Sequence, residues 1–108
     1  MRTEKPWGHE ELWALNHNYA AKVICINKNS RLSLQKHEQK HESIYVLSGT
    51  LTLVINEETI ILKEGQSVTI PAKMVHRFCA TDEDVKLIEV STPELDDVVR
   101  IEDDYNRK

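Results

Sequence analysis

Hydrophobic and polar residues alternate with a period of two in many short runs of this chain, and no segment keeps a helical period. Successive side chains of a strand point to opposite faces, so this alternation is typical of strands with one buried face. The runs cover residues 10–15, 20–26, 51–55, 59–62, 67–70, 75–80, 85–90 and 98–101. The pattern therefore predicts an all-β chain.

The stretch between the second and third of these runs is less regular. Leu32 and Leu34 alternate with polar residues, whereas residues 44–47 are continuously apolar. A continuous run is typical of a strand that is buried on both faces or lies at a strand crossover. Polar turns separate the runs, and strands with turns about every 8–12 residues predict a sandwich or a small barrel.

Length and charge narrow the class of protein. The 108 residues fit one domain, residues 1–108, with a real core. The net charge is -4 and the basic residues are scattered, which argues against nucleic-acid binding. No apolar run approaches the ~20 residues of a membrane span, and the N-terminus lacks the apolar core of a signal peptide. We therefore expect no membrane partner and a cytoplasmic location, with two reduced cysteines.

Metal-capable side chains crowd together where the irregular stretch ends. His37, Gln39, His41 and Glu42 fall within six positions, and His76 follows much later. Two imidazoles and a carboxylate, from His37, Glu42 and His76, form a set that suits Fe(II), Mn(II) or Zn(II). Gln39 offers a weaker fourth ligand, and His41 is the alternative to it. Spacing alone leaves open that Glu42 is only a charge at a strand edge.

Two spaced motifs make the sequence resemble the cupin family. The first reads His37-Glu38-Gln39, Glu42 and Gly49, and the second reads Gly65, Pro71 and His76. The gaps within both match the family pattern, and a predicted hairpin lies between them. The resemblance implies a small double-stranded β-helix barrel that binds a divalent metal through His37, Gln39, Glu42 and His76.

Within the cupins, the chain most resembles the C-terminal domain of type II mannose-6-phosphate isomerases, which occurs fused to mannose-1-phosphate guanylyltransferases. The segments that carry this likeness are residues 5–8, 32–37 and 96–105. Gln39 stands where those domains have a histidine, and Lys40 where they have an arginine. Lys73 and Ala80 replace a glycine and an asparagine of the second motif.

The resemblance implies a metal-dependent interconversion of mannose 6-phosphate and fructose 6-phosphate, with Zn, Mn, Co or Fe as the metal. Glu42, His41 or Lys40 would move the proton, and Lys40, Arg77 and Arg100 would bind the phosphate of this small-molecule substrate. The alternative is a cupin that binds a sugar or sugar nucleotide without turnover. An Fe(II) oxygenase at the same three ligands is a weaker third reading, because the tail is typical of carbohydrate chemistry.

A barrel of two short sheets leaves edges and apolar faces to cover, so we also expect a homodimer. Trp7, Leu12 and Trp13 are candidates for that interface. The alternative is that they cap one end of the barrel's own core.

Overall fold

Two antiparallel sheets face each other across one apolar core. The structure is a computed structural model and describes residues 1–107. Its strands are β1 (Arg2–Lys5), β2 (Gly8–Leu15), β3 (Ala20–Ile26), β4 (Ser30–Arg31), β5 (Leu34–Lys36), β6 (Glu42–Ser48), β7 (Leu51–Ile55), β8 (Glu58–Leu62), β9 (Ser67–Ile70), β10 (His76–Ala80), β11 (Val85–Ser91) and β12 (Val99–Glu102). One sheet has the order β1-β2-β3-β11-β6-β9, and the other has the order β12-β5-β10-β7-β8, with β4 also paired to β10. No helix in this part of the chain is long and apolar enough to span a membrane.

The predicted alternation fills the core from both sheets. Ile24, Val46 and Leu87 come from the first sheet, and Leu53 and Phe78 from the second, and each is almost completely buried. The sequence neighbours of the first four are more exposed, as the period of two requires, whereas Arg77 and Cys79 on either side of Phe78 are also buried. The prediction of an all-β sandwich or barrel is therefore confirmed.

Residues 44–47 are not buried on both faces, so that interpretation is wrong. Along β6, Glu42, Ile44 and Val46 are buried, whereas Tyr45 and Leu47 are 46% and 38% exposed. The strand has one inner face, and its outer face carries apolar side chains. A run of apolar residues has the same sequence pattern whether its second face meets protein or water.

The sequence pattern missed β1, because residues 2–5 hold no apolar side chain. This strand is held by backbone pairing, in which Thr3 lies opposite Glu10 of β2. The chain then turns at residues 6–7, and Trp7 enters the core with 2% of its surface exposed. Trp7 therefore caps the core, as one of the two alternatives predicted, while Trp13 is 57% exposed. A homodimer through Trp13 stays a prediction.

The cysteines differ in burial. Cys79 is buried in β10 and Cys25 is half-buried in β3, and both are free. Burial raises the pKa of the Cys79 thiol, so it stays protonated.

Gly49 ends β6 in a turn that brings it against β11. Its φ of 81° lies in the left-handed region, and a Cβ built there would meet the Asp84 carbonyl oxygen at 2.3 Å. Gly65 has nearly the same φ of 82°, but the nearest atom to its Cβ is the Tyr45 hydroxyl at 3.8 Å. The two glycines thus share a backbone conformation and differ in the space around it.

This pair separates backbone strain from close packing. We expect Gly65→Ala to lower the free energy of unfolding by about 1–2 kcal/mol, the cost of a left-handed non-glycine residue. Gly49→Ala adds a clash with backbone and should lose roughly 1–3 kcal/mol more. Urea denaturation of both variants measures the difference, and equal losses would contradict this account of the turn.

Candidate metal centre

Three segments of the fold bring His37, Glu42 and His76 together. His37 follows β5, His76 begins β10 beside it, and Glu42 begins β6 in the opposite sheet. All three are buried, with 4%, 2% and 1% of their surfaces exposed respectively. One nitrogen or oxygen of each residue lies within 4.8 Å of the others. The group therefore forms where the two sheets meet at one end of the core.

Backbone carbonyls fix the orientation of both imidazoles. His37 Nδ1 lies 2.6 Å from the Asp97 carbonyl oxygen, and His76 Nδ1 lies 2.9 Å from that of Met74. A carbonyl oxygen only accepts hydrogen bonds, so each Nδ1 must carry the proton. In the neutral ring the lone pair is then on Nε2, the usual arrangement of a metal-ligating histidine.

Both Nε2 atoms approach the same carboxylate oxygen. His37 Nε2 lies 3.1 Å from Glu42 Oε1, and His76 Nε2 lies 3.0 Å from it. Among the buried polar atoms of the described residues, His76 Nε2 and Glu42 Oε2 have no hydrogen-bond partner. Lone pairs directed at a carboxylate need a shared cation or an added proton. The residues present therefore fit a divalent metal bound by two nitrogens and a carboxylate.

A second carboxyl, that of Glu89 on β11, lies beside Glu42. Burial and the Glu42 charge raise the pKa of Glu89 well above its usual range. Burial would also raise the pKa of Glu42, but contacts with Glu89 and the two histidines, and the charge of Lys40, hold it well below. The pKa values of the two buried carboxyls are thus pushed in opposite directions, that of Glu42 down and that of Glu89 up.

Glu89 is not among the site residues predicted from the sequence, although its position in the strand pattern indicates one. Val85, Leu87 and Glu89 alternate along β11 and are all buried, so Glu89 occupies a core-facing position of a regular strand. A glutamate at such a position needs partners in the interior. Lys40 supplies one, with its Nζ 3.7 Å from Glu89 Oε2.

A cavity of about 290 Å³ opens beside His37. Lys40, Glu89 and Arg100 are among the other residues that line it. Its walls come from β1, β2, β3 and β11 of the first sheet, from β5 and β12 of the second, and from the segments that precede β5 and β12. The cavity is large enough for a small molecule, and His37 is the one of the three candidate ligands that lines it.

Asp97 organises the loop that carries the first ligands. Its side chain accepts hydrogen bonds from the backbone N–H groups of Glu38, Gln39 and Lys40, at 3.0, 2.7 and 2.9 Å. These donors lower the pKa of the Asp97 carboxyl, Gln39 contributing most. The backbone carbonyl oxygen of Asp97 also accepts the hydrogen bond from His37 Nδ1–H.

The model of the mannose-6-phosphate isomerase C-terminal family matches residues 1–103. The chain belongs to this family. It is 34% identical over 107 residues to the alginate biosynthesis protein AlgA of Pseudomonas aeruginosa, covering 95% of this chain and 22% of that protein. It is 36% identical over 109 residues to the mannose-1-phosphate guanylyltransferase ManC of Salmonella typhimurium, covering 95% and 22%. The chain thus spans less than a quarter of the length of these curated relatives.

Solved structures show that this member of the mannose-6-phosphate isomerase C-terminal family has the cupin fold. KdgF from a Halomonas species superposes with a TM-score of 0.81 and 18% identity, over 89% of this chain and 88% of that chain. A cupin-superfamily sugar phosphate isomerase from Silicibacter pomeroyi superposes with a TM-score of 0.64 and 23% identity, over 69% and 50%. The predicted double-stranded β-helix barrel is confirmed.

Two residues predicted beside the ligands lie at the surface of this family member. Gln39 is exposed, and its backbone N–H rather than its side chain is tied to Asp97. His41 is also exposed, and its N–H donates to Thr92 Oγ1 at 3.0 Å. The residues after His37 form a bend, so the strand alternation that would set Gln39 beside His37 does not apply. Ligation by Gln39 stays a prediction and would require its side chain to turn inward.

Arg77, predicted to bind the substrate phosphate, lies against the C-terminal tail. Its Nε donates to the Leu32 carbonyl oxygen at 2.8 Å, and its guanidinium lies near the carboxylates of Glu102 and Asp104. It is buried and does not line the cavity described above, whereas Lys40 and Arg100 do. Arg77 thus fastens the C-terminal tail to the second sheet, and we do not carry it forward as a phosphate ligand.

The loop anchor can be tested by Asp97→Asn, which keeps the shape of the side chain and removes its charge. We expect the affinity for Zn²⁺ to fall about 10- to 100-fold, as for other partners that orient metal ligands. Competition with a chromogenic chelator measures this affinity. The matched control is Asp96→Asn, at an exposed carboxylate next to the anchor. Equal affinities in the two variants would contradict the anchoring role.

Proposed function

We propose that this chain is a metal-dependent sugar-phosphate isomerase that interconverts mannose 6-phosphate and fructose 6-phosphate. The observation that carries the proposal is the buried His37–Glu42–His76 group, of which His37 lines the cavity of about 290 Å³. Membership of the mannose-6-phosphate isomerase C-terminal family supports it, as does the similarity to a cupin named as a sugar phosphate isomerase.

Aldose–ketose isomerisation moves a proton between adjacent sugar carbons while the carbonyl changes place. A divalent metal, when bound, supplies Lewis-acid polarisation of that carbonyl. His37, Glu42 and His76 would hold it. Lys40 is the predicted proton-transfer residue that lines the cavity, and its Nζ lies 3.7 Å from Glu89 Oε2.

Glu42 and His41, the other two predicted proton-transfer residues, are less well placed for this role. Glu42 lies between the two imidazoles, so its carboxylate is engaged with them. His41 is exposed and is not among the residues that line the cavity. Of the three candidates, Lys40 is therefore the one that we carry forward for taking the proton from one sugar carbon and returning it to the next.

Metal analysis coupled to an isomerase assay tests the proposal. The purified protein should contain Zn, Mn, Co or Fe, and should convert mannose 6-phosphate to fructose 6-phosphate. His76→Ala should lose the metal and at least about 100-fold in kcat/KM, because one of three ligands is gone. A metal-free protein with no turnover after addition of each of the four ions would refute the enzyme.

The second candidate is a cupin that binds a sugar or sugar nucleotide without turnover. Two observations favour it: the family histidine is replaced by the exposed Gln39, and a relative is named as a mannose-1-phosphate guanylyltransferase. Bound metal without isomerisation in the assay above would favour this candidate.

Restoring the missing imidazole distinguishes the candidates further. We expect Gln39→His to bind Zn²⁺ at least about tenfold more tightly than the parent, because imidazole is a better ligand than a carboxamide. Glu38→His places a histidine at the neighbouring exposed position of the same loop and is the control. If both variants bind Zn²⁺ like the parent, position 39 lies outside the coordination sphere.

A further inference from the structure

A second charged group lies on the wall of the same cavity, on the three strands that begin the first sheet. Lys5 ends β1, Glu10 lies in β2 and Lys22 lies in β3. The Lys22 Nζ is 3.1 Å from Glu10 Oε1, and the Lys5 Nζ is 4.0 Å from the same oxygen. Two ammonium groups thus share the carboxylate of Glu10.

These side chains are largely withdrawn from solvent. The exposed fractions are 28% for the Lys5 side chain, 17% for Glu10 and 15% for Lys22. Charges in such a position are screened less than charges on an open surface. An anion that entered the cavity would therefore meet both lysines in a medium of reduced dielectric constant.

The cavity is cationic in a protein that is acidic overall. Of the described residues that line it, five are lysines or arginines and three are aspartates or glutamates. One of the five, Arg107, is already paired with Asp103. The whole chain carries a net charge of -4, so the positive charge is concentrated here. A cleft lined by charges of one sign attracts ligands of the opposite charge.

Strand register places this group at a fixed separation from the candidate metal ligands. Lys22 lies directly opposite Glu89 on β11, and Glu89 lies opposite Ile44 on β6, two residues from Glu42. Neighbouring strands are about 4.8 Å apart, so the strands of Lys22 and Glu42 are separated by roughly 10 Å. This separation is of the order of the length of an extended hexose phosphate.

We propose that Lys5 and Lys22 bind the phosphate group of a phosphorylated sugar, with Glu10 holding the two ammonium groups together when no phosphate is present. The sugar's carbonyl end then lies at His37, Glu42 and His76. This assignment rests on the proposed function for the carbonyl end, whereas the recognition of phosphate depends on the lysines alone. A phosphate dianion replaces the single carboxylate as the partner of both lysines.

Titration calorimetry on the full chain tests the assignment, with mannose 6-phosphate and mannose as the two probes. In the double variant Lys5→Met/Lys22→Met, mannose 6-phosphate should bind about 10- to 100-fold more weakly, because two charge-assisted hydrogen bonds are lost. Binding of mannose should not change. The matched control is Lys63→Met, at an exposed lysine outside the cavity, which should bind mannose 6-phosphate like the parent.

Glu10→Gln tests the same site in the opposite direction and leaves both lysines in place. Without the competing carboxylate, mannose 6-phosphate should bind roughly two- to five-fold more tightly. This result keeps the test decisive if the lysine variants fold poorly. Weaker or unchanged binding in Glu10→Gln, or parent-like binding in the double lysine variant, would overturn the assignment. Equal affinity of the parent for mannose and mannose 6-phosphate, or no binding of either, would also overturn it.

The failure of this site and the failure of the isomerase are distinguishable. Lysine-dependent binding of mannose 6-phosphate without turnover would refute the isomerase and leave the phosphate site standing. Turnover with the same KM for mannose 6-phosphate in the parent and in the double variant would refute the phosphate site and support the isomerase.

Discussion

Glu42 is an ionised carboxylate in the interior of the barrel, with 2% of its surface exposed. An isolated buried charge costs several kcal/mol even after the protein relaxes around it, so the surroundings of this residue must supply opposite charge. The two nearest groups are imidazoles whose protons are committed to backbone carbonyls. In its neutral form, such a ring directs the Nε2 lone pair at the carboxylate. A divalent cation among the three groups would satisfy all of them. Burial and the Glu42 charge raise the pKa of the adjacent Glu89 carboxyl.

Several distant parts of the chain serve this one arrangement. The loop after β5 supplies His37 and is tied to Asp97, 60 residues later, by three backbone N–H donors and one imidazole. The start of β10 supplies His76 from the same sheet, and β6 supplies Glu42 from the opposite one. The tail that carries Asp97 is fastened in turn by Arg77. The C-terminal segment thus acts on the metal centre through hydrogen bonds without contributing a ligand of its own.

The sequence predicted the parts of this fold that follow from alternation and motif spacing. Strands β2, β3 and β6 to β12, and the meeting of His37 with His76, belong to this class. The alternation of apolar and polar residues does not reveal β1, which is held by backbone pairing alone. It also does not show that the outer face of β6 meets solvent, as at Tyr45. It also fails after His37, where a bend turns Gln39 outward. The lysines and glutamates of the cavity come together only through the pairing of β1, β2, β3 and β11, which no local pattern encodes.

The central claim is that His37, Glu42 and His76 ligate one divalent ion. The most direct measurement is a crystal structure with diffraction data collected above and below the absorption edge of the bound metal. The account predicts one anomalous peak about 2.0–2.2 Å from both Nε2 atoms and from a Glu42 carboxylate oxygen. A peak elsewhere in the protein, or an ordered centre in which Glu42 is satisfied by protonated imidazoles with no metal after soaking in Zn²⁺, would contradict it.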